Sequence, residues 1–127
     1  NVLLDTCAFI WLAMPQGMLS PAATRLLNDS RTRLFLSDVS IWEMSLKYSL
    51  GKLNLPDQPR AWIPQQIQFH QIANLQLEQS AIFLSGELPR VHSDPFDRLI
   101  AAQAIESGMT ILSPDTPLSL LGASRVW

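Results

Sequence analysis

Five carboxylates stand where a fold would have reason to gather them. Asp94 and Asp97, in HSDPFDRLIAAQA, lie three apart before an apolar, helix-forming run, and so share one helix face. Asp5 closes the apolar run VLLD, Glu43 lies in SIWEMSLK, and Asp115 follows TILS. Like charges brought together are unfavourable unless something neutralises them. Mg²⁺ or Mn²⁺, hard cations that prefer oxygen ligands, would do so. Two such ions can align a water and a leaving oxygen at a phosphodiester. Simpler readings stand beside this one. Asp94 is placed to cap the helix, and the helix dipole favours Asp97 in its first turn. Glu43 is an i,i+4 partner for Lys47, and Asp115 fits a turn. Asp5 directly abuts a buried strand, a position that needs a local reason.

The elements that must position these residues follow from apolar spacing and punctuation. VLL is a short buried strand, and TCAFIWLA is a helix that Thr6 can cap. Ser20-Pro21 starts a helix running through AATRLL to about Asn28-Asp29, and RLFLS (33–37) is a second strand. In DVSIWEMSLKYSLGKL the stripe Val39, Trp42, Leu46 and Leu50 predicts a core-facing helix stopped by Gly51. PRAWIPQQIQFH reads as a helix despite Pro64, IANLQL as a short strand, and EQSAIFLSGEL as a helix ending before Pro89. Ser93 or Asp94 caps the next helix, which Pro95 opens and Gly108 closes. MTILS (109–113) is a strand, SPDTPLSLLG a loop with a helical turn, and SRVW a final short strand. Strands alternating with helices predict an α/β fold with a mainly parallel sheet, in a single domain over residues 1–127. In such a sheet the strand C-terminal ends and helix N-termini gather along one edge, where ligands bind. Asp5, Asp94, Asp97 and Asp115 belong to that edge, and Glu43, one turn into its helix, can reach it.

Composition narrows the function classes. Hydrophobic residues make up 47% and charged residues 16%, as in a globular chain rather than a disordered one. Nine Lys and Arg against eleven Asp and Glu exclude the broad basic surface of a tight nucleic-acid binder, so any such role rests on a local patch, metal ions or a partner. A single cysteine, Cys7, excludes an internal disulfide and fits a reducing compartment. No apolar run approaches membrane-spanning length, and NVLL does not read as a signal peptide, so a cytoplasmic protein is expected. Four tryptophans in so small a chain hint at a surface covered by another chain. His70, His92 and Cys7 lack the spacing of a zinc site, and His92 reads as a loop or surface residue. No GxGxxG, GxxxxGK[ST] or GxSxG motif occurs.

Taken together, LLDTCAFIWL, SDVSIWEMSLKYSLGKLNLP, LPRVHSDPFDRLIAAQA and TILSPD resemble the PIN-domain ribonucleases, and within them the VapC-like toxins of bacterial toxin–antitoxin pairs. The resemblance runs from Val2 to the closing RVW. It implies a three-layer α/β/α sandwich around the parallel sheet. It also implies that Asp5, Glu43, Asp97 and Asp115 are catalytic acids and metal ligands, with Asp5 and Asp97 the most direct. Asp94 matches the first aspartate of DPFDR and joins the catalytic set. Cys7 stands where this branch often has His. A homodimer and a cognate antitoxin covering the active-site groove are further implications.

The function expected on these grounds is a Mg²⁺-dependent endoribonuclease, the toxin of such a pair, with Mn²⁺ as the alternative ion. Lys47, Lys52 and Arg98 lie near the acidic edge in sequence and could contact RNA phosphates. Thr6 and Ser40 could orient a ligand or a water. Two rivals remain. A receiver-like Mg²⁺-binding signalling domain would use Asp38, after RLFLS, as phospho-acceptor, but TILSPDTPL offers no lysine. The other is a catalytically silent PIN-like interaction module.

Overall fold

The computed structural model describes residues Asn1–Trp127. Five strands alternate with seven helices: β1 (Val2–Leu4), α1 (Thr6–Ala13), α2 (Pro21–Asn28), β2 (Leu34–Ser37), α3 (Asp38–Ser49), α4 (Pro59–Phe69), β3 (Ala73–Leu75), α5 (Gln79–Glu87), α6 (Pro95–Ser107), β4 (Thr110–Leu112), α7 (Pro117–Leu120) and β5 (Arg125–Val126). The sheet order is β3-β2-β1-β4-β5, and every pairing is parallel. The expected mainly parallel sheet is therefore wholly parallel. A receiver-like domain has the order 2-1-3-4-5, with β1 between β2 and β3. Here β1 lies between β2 and β4, which removes that rival.

Side chains alternate across a strand, so a central strand must be apolar on both faces. Leu3 and Ile111 enter one core with Ala81, Ile100, Ala101 and Leu118, contributed by α5, α6 and α7. Val2, Leu4, Leu36 and Leu112 enter the other with Phe9, Met44, Trp62 and Ile63. Helices thus cover both faces, giving the expected three layers.

Several local signals act as read. Ser20 accepts from the Ala23 amide and Pro21 opens α2. Gly108 takes φ +65° as the left-handed cap of α6, a conformation other residues adopt at a cost. Pro64 sits inside α4, where it forfeits one backbone bond, but Trp62 and Ile63 hold the helix against the core. Two expectations are corrected. Thr6 does not cap α1: Asp5 does, accepting from the Ala8 amide at 2.7 Å. Nor does Trp42 face the core. It is 51% exposed, and Leu46 and Leu50 are exposed with it, because α3 turns Val39, Ser40, Glu43 and Met44 inward instead. Ser40 Oγ is buried there without a hydrogen-bond partner. Since an unpaired buried hydroxyl is a liability, Ser40→Ala should leave the melting temperature unchanged or raise it.

Candidate metal centre

The pairing Leu4↔Leu112 brings the ends of β1 and β4 side by side, and the Asp5 amide extends the ladder to Leu112 O at 3.2 Å. Asp5 is therefore fixed by a strand, a helix cap and the sheet centre at once. It is only 6% exposed. Asp115 sits two residues past Ser113, whose hydroxyl accepts from the Asp115 amide at 3.0 Å. Asp94 caps α6 by accepting from the Phe96 amide at 2.9 Å, and Asp97 lies in the first turn behind it. Glu43 comes from α3, which Ser37 caps at the end of β2 by accepting from the Val39 amide.

All five carboxylates line one cavity of about 330 Å³, together with Thr6, Cys7 and Lys47. Thr6 Oγ1 donates to Glu43 Oε1 at 2.6 Å, and Lys47 Nζ donates to Glu43 Oε2. The bland reading of Glu43 as partner of Lys47 thus holds, but Glu43 is buried at the cavity rather than solvated. Lys47 is the one basic side chain on the lining; its pairing with Glu43 raises its own pKa.

Arg98, expected near RNA phosphate, does not line the cavity. It is 7% exposed and gives its guanidinium to four backbone carbonyls. Nε donates to Ser85 O at 2.9 Å and Nη2 to Leu88 O at 2.8 Å, while Nη1 donates to Pro89 O at 2.8 Å and His92 O at 2.9 Å. Lys52 is exposed and also lies off the lining. Asp38, the phospho-acceptor of the receiver reading, is engaged elsewhere, accepting from Asn74 Nδ2 and the Leu77 amide.

His92, expected as a loop or surface residue, lies in the loop before α6 but joins the site. His92 Nε2 lies 2.7 Å from Asp97 Oδ2, and donor atoms of His92, Asp94 and Asp97 all lie within 4.8 Å of one another. The available signal was its position, two residues before the α6 cap.

The electrostatics are those of an acidic site short of positive charge. Burial pushes the Asp5 carboxyl from its ordinary 3.8 up to about 6; Ser113 and the Ala8 amide oppose this, while Asp115 and Glu43 add to it. Burial likewise pushes Asp97 up to about 7, with Asp115 and Asp94 adding to the rise and the His92 hydrogen bond opposing it. The same bond raises His92. Cys7 is exposed at the cavity, yet partial desolvation there, then Asp5 and Glu43, raise its thiol to about 11, so it is protonated at neutral pH and a poor nucleophile. An all-oxygen set of crowded carboxylates, two of which resist ionisation, fits a hard divalent cation.

This electrostatic arrangement predicts a pH dependence. Asp5 and Asp97 hold protons more tightly folded than unfolded. Their stabilising contribution is full below about pH 4 and is lost as pH rises through about 6 and 7; His92 acts in the same sense. In chelator, the protein should melt lower at pH 8 than at pH 5, and Asp5→Asn should flatten that slope. Saturating Mg²⁺ should raise the melting temperature more at pH 8 than at pH 5. Thermal melts at the two pH values check all three.

The model of the PIN domain family matches residues 2–122. The chain belongs to the PIN domain family. PIN domains are generally nucleases and typically use a divalent metal. A comparison with curated protein sequences finds no match. Among solved structures, this PIN domain is similar to a chain of the Rickettsia felis VapBC2 complex bound to a promoter DNA fragment, with TM-score 0.72 and 14% identity over 98% of this chain and 96% of that one. It is also similar to a chain of DNA-bound VapBC from Salmonella typhimurium, with TM-score 0.70 and 18% identity over 99% and 96%. A chain of FitAcB from Neisseria gonorrhoeae gives TM-score 0.69 and 17% identity over 100% and 97%. At these identities the likeness is one of fold.

Proposed function

We propose that this PIN domain is a Mg²⁺-dependent endoribonuclease and the toxin of a toxin–antitoxin pair, with Mn²⁺ as the alternative ion. The observation that carries the reading is the convergence of Asp5, Glu43, Asp94, Asp97 and Asp115, from four separate segments, on one cavity with a single lysine. Asp5, Glu43, Asp97 and Asp115 would hold the cation, with Asp5 and Asp97 as its main ligands. When bound, a divalent cation lowers the pKa of water and neutralises charge developing at a phosphodiester.

The protein's own residues set the geometry. Thr6 orients Glu43 through Oε1, and Lys47 holds Oε2 while presenting positive charge at the cavity wall, where an RNA phosphate would pass. Asp94 organises the entrance of α6. No helix is long and apolar enough to cross a membrane, and a cytoplasmic homodimer held in check by a cognate antitoxin accords with the toxin reading. The VapBC complexes among the similar folds support that partner.

The test is incubation of the purified chain with a pool of cellular RNAs, with and without Mg²⁺, beside Asp5→Ala and Asp97→Asn. Metal-dependent cleavage absent from both variants supports the nuclease. Wild type inert in every metal would leave the silent interaction module. Cleavage persisting in both variants would sink the site assignment. In the same assay Asp94→Asn should lose about tenfold or less, because Asn still caps a helix. Asp97→Asn should lose far more; equal losses would contradict this division of roles.

A further inference from the structure

We infer that His92 is a positioning residue for the cation site, holding Asp97 Oδ2 so that Oδ1 is the oxygen left for the ion, and that Arg98 fixes His92 in place. This rests on the proposed cation-dependent reading. The chain of contacts is short. His92 Nε2 meets Asp97 Oδ2 at 2.7 Å. The His92 carbonyl accepts from Arg98 Nη1 at 2.9 Å, and the same guanidinium takes the carbonyls of Leu88 and Pro89. Arg98 follows Asp97 directly on α6, so one helix carries both the ligand and the clamp that holds its partner. A surface histidine on a free loop would have no such backbone anchor.

Carboxylate ligands are commonly held by hydrogen bonds to their second oxygen, and removing such a partner costs about 10–100-fold in metal affinity or activity. A free Asp97 carboxylate could rotate, or turn towards Asp115 on the lining of the same cavity. The bond to His92 Nε2 selects one orientation. His92 as a direct ligand is the competing arrangement, since its donor atom lies within reach of those of Asp94 and Asp97. The 2.7 Å bond engages Nε2 with Asp97 instead.

The experiment compares wild type, His92→Ala and His92→Gln as full chains, reading Mg²⁺ affinity by calorimetry and kcat and KM for RNA cleavage. Glutamine sets a hydrogen-bonding amide close to the place of Nε2 but is a poor cation ligand. His92→Ala should bind Mg²⁺ about 10–100-fold more weakly. His92→Gln should recover to within about threefold of wild type. KM for RNA should stay level in both while kcat follows affinity. Affinity in His92→Ala within about threefold of wild type would overturn the inference. So would a Gln variant as weak as Ala, which would make the imidazole itself the ligand. Wild type that binds Mg²⁺ yet cleaves no RNA would sink the nuclease reading alone, because affinity still reports on His92. Wild type that binds no Mg²⁺ would sink both.

Discussion

Asp5→Asn should abolish metal-dependent cleavage, by about a thousandfold or more, while leaving the fold intact. The substitution is nearly isosteric. Asn keeps the acceptor that caps α1 through the Ala8 amide, and its backbone still pairs with Leu112. What disappears is a negative charge buried at the end of the central strand. Burial makes that charge unfavourable without a cation and pushes its pKa up to about 6. The variant should therefore melt no lower than wild type in chelator at pH 8, and should respond less to added Mg²⁺. Loss of activity together with equal or higher metal-free stability is the signature of a ligand. A residue kept for structure would lose both. Single-turnover cleavage and thermal melts on the same preparation decide between them.

Arg98→Ala should destabilise the chain by about 3–5 kcal/mol, the scale of breaking a buried, hydrogen-bonded charge arrangement. Four carbonyls, of Ser85, Leu88, Pro89 and His92, lose their donor at once. For a chain of this size the melting temperature should fall by roughly 10–20 °C. Arg98→Lys should recover little, since an ammonium lacks the planar fork that reaches four acceptors. A phosphate contact would give the opposite pattern, a raised KM for RNA with unchanged stability. Denaturant unfolding and KM, measured on both variants, separate the two roles.

Arg98 shows where reading along the chain stopped being informative. Adjacent helical residues are turned about 100° apart, so proximity to Asp97 in sequence placed Arg98 on a different face, under the α5–α6 connection. The same geometry explains Trp42. Residues spaced three and four apart mark a stripe, but α3 must also deliver Glu43 to the cavity. That requirement turned Ser40 and Glu43 inward and left Trp42 outside, packed edge-on against Phe96. Thr6 and Asp5 are both competent caps, and only the backbone angles of Asp5 chose between them. By contrast, the strands and the α6 boundaries were legible because continuous apolar runs, Pro95 and Gly108 have few alternative meanings. The convergence of the five acids was legible for a topological reason, since parallel strands place their ends on one edge. The His92–Asp97 bond was not, because it depends on how a loop folds back.

The most direct test of the cation site is a count of bound Mn²⁺, read from the loss of the free-ion electron paramagnetic resonance signal at neutral pH. The wild-type chain should retain at least one ion, and Asp5→Asn and Asp97→Asn should each release it. A wild-type chain that leaves all the Mn²⁺ free, or an Asp5→Asn variant that retains as much as wild type, would contradict the account.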